Sequence, residues 1–140
     1  TSDWGLKFED IPISSWQLNI DYQLNSYFFI TQKVSKYMTT QKNGSIVNIA
    51  SIYGQVGPDF TIYEGTEMTL PAAYSAIKGG VINLTRYLAS YYGNLNIRAN
   101  SISPGGIYDN QNSIFVENYC KKVVWILFSP NNQLLFWKKI

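Results

Sequence analysis

Tyr74 and Lys78 stand four residues apart, the spacing that puts two side chains on one face of a helix. A phenol ordinarily ionises near pH ~10, too high for an effective base near neutrality. A neighbouring ammonium favours the phenolate, so the pair has the ingredients for moving a proton. The pairing alone is weak evidence: eleven Tyr and nine Lys in 140 residues yield about 0.7 such pairs by chance. A solvated Lys beside a half-buried Tyr accounts for it as well. Ser51 is a second candidate, at the end of the run Ser45-Ile46-Val47-Asn48-Ile49-Ala50-Ser51. Ligands of open α/β sheets lie beyond the carboxyl ends of the strands, which favours Ser51 and the segment Ser103-Pro104-Gly105. The plain alternative for Ser51 is a strand-end serine that caps a loop amide.

The surrounding elements follow from patterning. Gly5, Asp10 and Pro12 make residues 1–13 loop-like. A helix starts at Ser14, with Gln17 in capping-box spacing and Ile13 and Leu18 placed for a hydrophobic staple. Ile20, Leu24, Phe28, Thr31, Val34 and Met38 form its predicted apolar face, and Asn43-Gly44 ends it. The β-branched run 45–51 suits a buried strand, although a short buried helix has the same composition. Residues 52–71 read as loop. A second helix spans about Ala72 to Tyr92, with Ile77, Val81, Leu84, Leu88 and Tyr91 as its buried face and Gly93 at its end. Ile97 to Ser103 is the second strand candidate, stopped by Pro104-Gly105-Gly106. The order helix, strand, helix, strand predicts a parallel sheet with packed helices, an α/β fold.

Composition removes other chemistries. The 140 residues fit one domain, and 46% hydrophobic content supplies a core. There is no His and one cysteine, Cys120, so no intramolecular disulfide forms and no His-dependent hydrolase triad exists. The same counts argue against a zinc or haem site, and no metal site is expected. The net charge of +2 is too small to imply nucleic acid. It is also uneven: residues 1–120 hold 7 Lys/Arg and 9 Asp/Glu, while residues 121–140 hold four Lys and no acid. The longest strongly apolar run, Val123 to Phe128, is far shorter than a membrane span, and the amino terminus has no signal pattern. These features predict a soluble, cytoplasmic protein without a membrane or nucleic-acid partner.

The combination is more specific than its parts. Asn48-Ile49-Ala50-Ser51-x-x-Gly54, then Tyr74-x-x-x-Lys78, then Asn100-Ser101-Ile102-Ser103-Pro104-Gly105 resembles the carboxyl-terminal part of the short-chain dehydrogenase/reductase family. The resemblance covers roughly residues 14–110. Tyr63-Glu64-Gly65-Thr66 and the stretch Tyr87 to Gly93 resemble its flagellin-modification or sugar-modifying branch. The resemblance implies an incomplete Rossmann-like parallel sheet and NAD or NADP as cofactor. It implies hydride transfer between the nicotinamide and a carbonyl or alcohol substrate, with a sugar-related one expected from the branch. It makes Tyr74 the general acid/base, and Lys78 the residue that favours its phenolate and bonds the nicotinamide ribose. Ser51 would bond the substrate oxygen. Pro104, Gly105 and Ile107 would meet the nicotinamide. Gln23 falls where the family usually places an Asn that completes a proton relay. The two long helices, around 14–42 and 72–93, would carry a homo-oligomer interface.

Several features depart from the pattern. Ser51 and Tyr74 are 23 residues apart, wider than is common in the family, and the surplus falls around Pro58 to Leu70. That excursion either lines a substrate pocket, with Tyr63 or Glu64 reaching in, or is plain surface. Tyr108-Asp109 stand where a Thr often follows the Pro-Gly turn. No two of the ten glycines are separated by one residue, so the Gly-x-Gly of a phosphate-binding turn does not occur. Residues 1–122 therefore read as a partial domain without the nucleotide-binding half. Residues 123–140 read as an unaligned apolar and basic tail: a core strand, an unrelated or frame-shifted ending, or an aggregation-prone edge. Two functions remain at this level. One is a truncated oxidoreductase; the other is a catalytically silent piece that serves structure or oligomerisation.

Overall fold

Two parallel strands frame the site. The structure, a computed structural model, describes Asp3 and residues 5–122. The expectations for Val123–Phe128 and for the rest of the 123–140 tail lie outside the described residues. Strand β1 (Gly44–Ile49) pairs in parallel with β2 (Ile97–Ile102), in register from Gly44 opposite Ile97 to Ile49 opposite Ile102. The crossover between them is helix α3 (Ala72–Tyr92), as a parallel pair requires. The α/β class and the parallel pairing expected from the sequence are both present.

The helical run before β1 is continuous from Ile13 to Gln41 but not uniform. Helix α1 (Ile13–Asn19) passes into a π-helical turn at Ile20–Leu24 and then into α2 (Asn25–Gln41). Pro12 occupies the N-cap and no side chain caps the start, so the expected Ser14 capping box does not form. The proline already sets the extended entry into the helix, two residues before the expected cap at Ser14. The wide turn also re-phases the apolar stripe. Trp16, Ile20, Leu24 and Tyr27 pack on the core, and Thr31 and Ser35 are buried below them. Phe28 and Val34, expected on that face, point to solvent. The chain reverses at Lys42, whose φ is 51°, rather than at Asn43-Gly44. Gly44 leaves room for the Met38 side chain, which would have to shift if a Cβ were added, since Sδ would lie 2.5 Å from it.

Helix α3 has the predicted span, but its buried face is Ala73, Ile77, Val81, Ile82, Thr85 and Leu88. Tyr91 is 61% exposed, and Ile82 and Thr85 take the inward positions. The inward row therefore includes a threonine, because Thr85 has a partner on the sheet: Asn48 Nδ2 donates to Thr85 Oγ1 at 2.8 Å, and that hydroxyl donates to the Val81 carbonyl at 2.7 Å. The α-helix ends at Tyr92, and the left-handed reversal follows at Asn96. The strands alternate rather than being buried on both faces. Asn48 and Ile97 point inward, whereas Val47, Ile49 and Ile102 are about half exposed. One helical layer covers one sheet face among the described residues, and the other face has no cover there.

Further elements were not anticipated. Residues 52–71, read as loop, contain 3-10 turns at Ile52–Gly54 and Phe60–Tyr63. Helix α4 (Ser113–Lys122) begins at Asn112, whose Oδ1 accepts from the Ile114 amide at 2.8 Å.

Candidate active site

Ser51 lies two residues beyond β1, at the carboxyl end of the sheet. Its hydroxyl accepts from the Tyr53 amide at 3.2 Å and caps the turn Ile52–Gly54. The capping role is therefore real, and it leaves the hydroxyl's own proton for another acceptor. The Ile52 amide donates to the Pro104 carbonyl at 3.0 Å, and Gln55 Nε2 donates to Ser103 Oγ at 2.9 Å. These bonds tie the Ser51 turn to the loop that leaves β2.

Tyr74 and Lys78 occupy the first two turns of α3, both half-buried. Lys78 Nζ lies 5.6 Å from the centre of the Tyr74 ring. It also donates to the Ile49 carbonyl at 3.0 Å, at the last residue of β1. The helix pair thus reaches back to the strand end that carries Ser51. Gly54 permits this approach, since a Cβ there would meet the Lys78 carbonyl carbon at 2.5 Å.

Gln23 sits in the π-helical turn, and its amide stays on its own helix, donating to Asn19 Oδ1 at 3.2 Å. The side chain from this helical run that reaches Lys78 is Tyr27, which the sequence reading passed over. Its ring centre is 5.7 Å from Lys78 Nζ. The available signal was position: Tyr27 shares the inward face with Leu24 and Thr31.

In the 58–70 excursion, Tyr63 packs on a neighbouring helix and Glu64 faces solvent. Asp59 holds the turn Phe60–Tyr63 by accepting from the Thr61 amide at 3.0 Å, and Lys122 Nζ pairs with Asp59 at 3.2 Å. Tyr63 stacks on Phe115 of α4, ring centres 5.5 Å apart, while Glu64 is exposed. Phe115 in turn packs on Tyr119, whose hydroxyl accepts from the Gly106 amide at 2.7 Å. An aromatic wall therefore joins the excursion, α4 and the loop after β2. Burial pushes the Tyr53 phenol well above its ordinary range, with Tyr63 and Tyr119 adding to it. Burial also raises Tyr63, offset in part by a hydrogen bond from Tyr53, while neighbouring Tyr119 and Tyr74 push it up further. Both phenols stay neutral at physiological pH. Ile107 is exposed, and its carbonyl accepts from Gln111 Nε2 at 2.9 Å.

The described residues contain no cluster of metal-ligating side chains and no helix long and apolar enough to cross a membrane. For a nicotinamide nucleotide, the fit is local. The Lys78 ammonium keeps two donors after bonding Ile49, which suits ribose hydroxyls.

Comparison with known proteins places this arrangement. A family profile described as Enoyl-(Acyl carrier protein) reductase matches residues 2–119. The chain is 36% identical over 120 residues to Post-translational flagellin modification protein A of Campylobacter coli, covering 85% of this chain and 47% of that protein. It is 35% identical over 101 residues to 2-dehydro-3-deoxy-D-gluconate 5-dehydrogenase of Bacillus subtilis, covering 72% of this chain and 36% of that protein. Other relatives are named for 3-oxoacyl and hydroxysteroid substrates. A solved short chain dehydrogenase from Leptospira borgpetersenii with bound NAD+ superposes with a TM-score of 0.76 at 36% identity, over 84% of this chain and 44% of that one. The chain thus spans between about a third and a half of the relatives it matches. With its parallel α/β core, its strand-end serine and its Tyr-Lys helix, the chain belongs to the short-chain dehydrogenase/reductase family.

Proposed function

We propose that this chain carries the proton-transfer part of an NAD(P)-dependent oxidoreductase that interconverts a carbonyl and an alcohol. The observation that carries the reading is the placement of the Lys78 ammonium 5.6 Å from the Tyr74 ring, beside the strand end that bears Ser51. When bound, a nicotinamide cofactor supplies the hydride that reaches the carbonyl carbon, or accepts it in the reverse direction.

The chain's own residues handle the oxygen. Tyr74 gives its proton to the oxygen in reduction and takes it back in oxidation. Lys78 places its positive charge beside Tyr74 and would keep two donors for the ribose. Ser51 donates to the same oxygen as negative charge develops on it. Pro104, Gly105 and Ile107 would edge the nicotinamide. Gln23 keeps its amide one helical turn from Tyr27, within the stretch where the family places its relay residue.

The substrate is proposed to be sugar-related. Tyr63 and Phe115, both half-buried, offer aromatic surface without a formal charge, which suits a polyhydroxylated ring, and the buried Tyr119 backs them. A relative named for a sugar acid agrees with this. The whole protein is proposed to be a cytoplasmic homo-oligomer. Phe28, Phe29 and Tyr37 on α2 and Tyr87 and Tyr91 on α3 are exposed and provide an apolar surface for a second copy. Residues 1–122 are assigned to the partial domain, and 123–140 to a separate tail.

The test is an NADH and NADPH oxidation assay on residues 1–122 supplied with a nucleotide-binding half. A panel of keto-sugars, acyclic ketones and acyl substrates is compared. Turnover of the keto-sugars supports the reading, and no turnover of any carbonyl with either nucleotide rejects it in favour of a catalytically silent piece. The 140-residue chain alone, without a Gly-x-Gly turn, binds NADH weakly by tryptophan fluorescence; low-micromolar saturation contradicts that part.

A further inference from the structure

We propose that Tyr27 is a positioning residue for Lys78, holding the ammonium against the end of β1 through a shared carbonyl and a ring face. The inference rests on the reading that Lys78 acts beside Tyr74, and deepens it. The Ile49 carbonyl oxygen accepts two bonds, from the Tyr27 hydroxyl at 2.7 Å and from Lys78 Nζ at 3.0 Å. A carbonyl has two lone pairs, so the pair fills it. Lys78 Nζ is also close to two rings, 5.7 Å from the centre of Tyr27 and 5.6 Å from that of Tyr74. Both distances fall within the ~6 Å reach of a cation–π attraction.

Three elements therefore triangulate one ammonium: α2 through Tyr27, β1 through Ile49, and α3 through Lys78 itself. That matters because a lysine head on a four-carbon stem otherwise samples many rotamers. The hydroxyl bond to Ile49 fixes the Tyr27 ring, and the fixed ring limits where Lys78 Nζ can move. The backbone prepares this. The π-helical turn at Ile20–Leu24 re-phases the helix so that Leu24 and Tyr27 both face the core, while the Gln23 amide remains with Asn19. Tyr27 thus lies within 5.7 Å of the ammonium, which keeps two donors after its bond to Ile49.

The test is competitive acylation of the 140-residue chain with acetic anhydride, read by peptide mass spectrometry. Lys33 and Lys36, exposed on the same helix, are internal standards. Lys78 in the unaltered chain is expected to react at least threefold more slowly than either. Tyr27→Phe keeps the ring volume and removes only the hydroxyl bond; it should raise the ratio of Lys78 to Lys36 labelling at least twofold. Tyr27→Leu should raise it further, and Tyr27→Phe should therefore read as a partial rescue of Tyr27→Leu. Lys33 and Lys36 are already exposed and correct only for reagent dose, so far-UV circular dichroism of each variant checks that the helices are intact; an unchanged ratio in a folded Tyr27→Phe overturns the proposal. The readout needs neither cofactor nor turnover, so its failure leaves the acid/base role of Tyr74 standing, and loss of that role leaves the labelling ratio unaffected.

Discussion

Gly54 is packed against the backbone of Lys78. A Cβ at Gly54 would sit 2.5 Å from the Lys78 carbonyl carbon, 2.7 Å from its oxygen and 2.8 Å from the Gly79 nitrogen. All three are main-chain atoms of a helix and cannot swing aside. The turn that carries Ser51 and the helix that carries Tyr74 and Lys78 are held at this distance by the missing side chain.

Gly54→Ala should therefore destabilise the chain by more than about 2 kcal/mol, the scale of overpacking against a rigid neighbour. Gly57→Ala, three residues on, meets nothing within 4 Å and should be near neutral. Urea unfolding of the two variants compares them directly, and equal midpoints would contradict the packing argument.

Ser51 should show two separable losses. Its hydroxyl caps the turn at Ile52–Gly54, so Ser51→Ala costs about 1 kcal/mol of stability. In a form that includes a nucleotide-binding half, it also lowers kcat about 10²-fold, as loss of one donor to a developing oxyanion does. Ser51→Thr retains the hydroxyl and should recover most of both. Thermal unfolding and steady-state kinetics on the same samples read the two effects.

The buried pair Asn48 and Thr85 joins β1 to α3 across 37 residues. Asn48→Ala leaves Thr85 without its donor and should cost about 1–3 kcal/mol. Thr85→Val should cost a similar amount, and the double variant should cost clearly less than the two together, because both remove one interaction. Additive losses in a double-mutant cycle would show that the two side chains act independently.

Alkaline stability should depend on Tyr53. Its folded-state phenol is held above the ordinary value of 10.0 by burial first and by Tyr63 and Tyr119 next. The unfolded chain ionises at the ordinary value while the folded chain resists. Stability from this group is therefore fully present below pH ~10 and is lost as pH rises beyond it. Tyr53→Phe should flatten the fall of stability above pH ~10 while leaving the slope near pH 7 unchanged. Urea midpoints measured from pH 7 to pH 11 test this, and identical slopes at high pH would contradict it.

How much of this was legible in the sequence depends on the element. The span of α3, the parallel strand pair and the α/β class follow from periodicity and from Gly-Pro punctuation, which are local signals. Helix phase was harder. A uniform 3.6-residue period puts Phe28 and Val34 inward, but one π-helical turn rotates the rest of the helix, and Tyr27 and Ser35 take those places. The polar residue Thr85 looked like a poor core candidate because its partner, Asn48, is remote in sequence. The 58–70 excursion was ambiguous until α4 supplied Phe115 for Tyr63 to stack on. For the site, Ser51, Tyr74 and Lys78 could be named from spacing and resemblance. The Tyr27–Ile49–Lys78 arrangement could not, because it depends on a main-chain oxygen that carries no sequence signal.

Tyr74 carries the proposed chemistry. Residues 1–122 can be joined to the amino-terminal half of the Campylobacter coli relative and assayed for nicotinamide-dependent carbonyl reduction, with and without Tyr74→Phe. Removing the one hydroxyl should lower kcat by about 10² or more and leave KM nearly unchanged, since only the proton transfer is lost. A Tyr74→Phe chimera whose kcat stays within about threefold of its parent would contradict the assignment of Tyr74 as the acid/base.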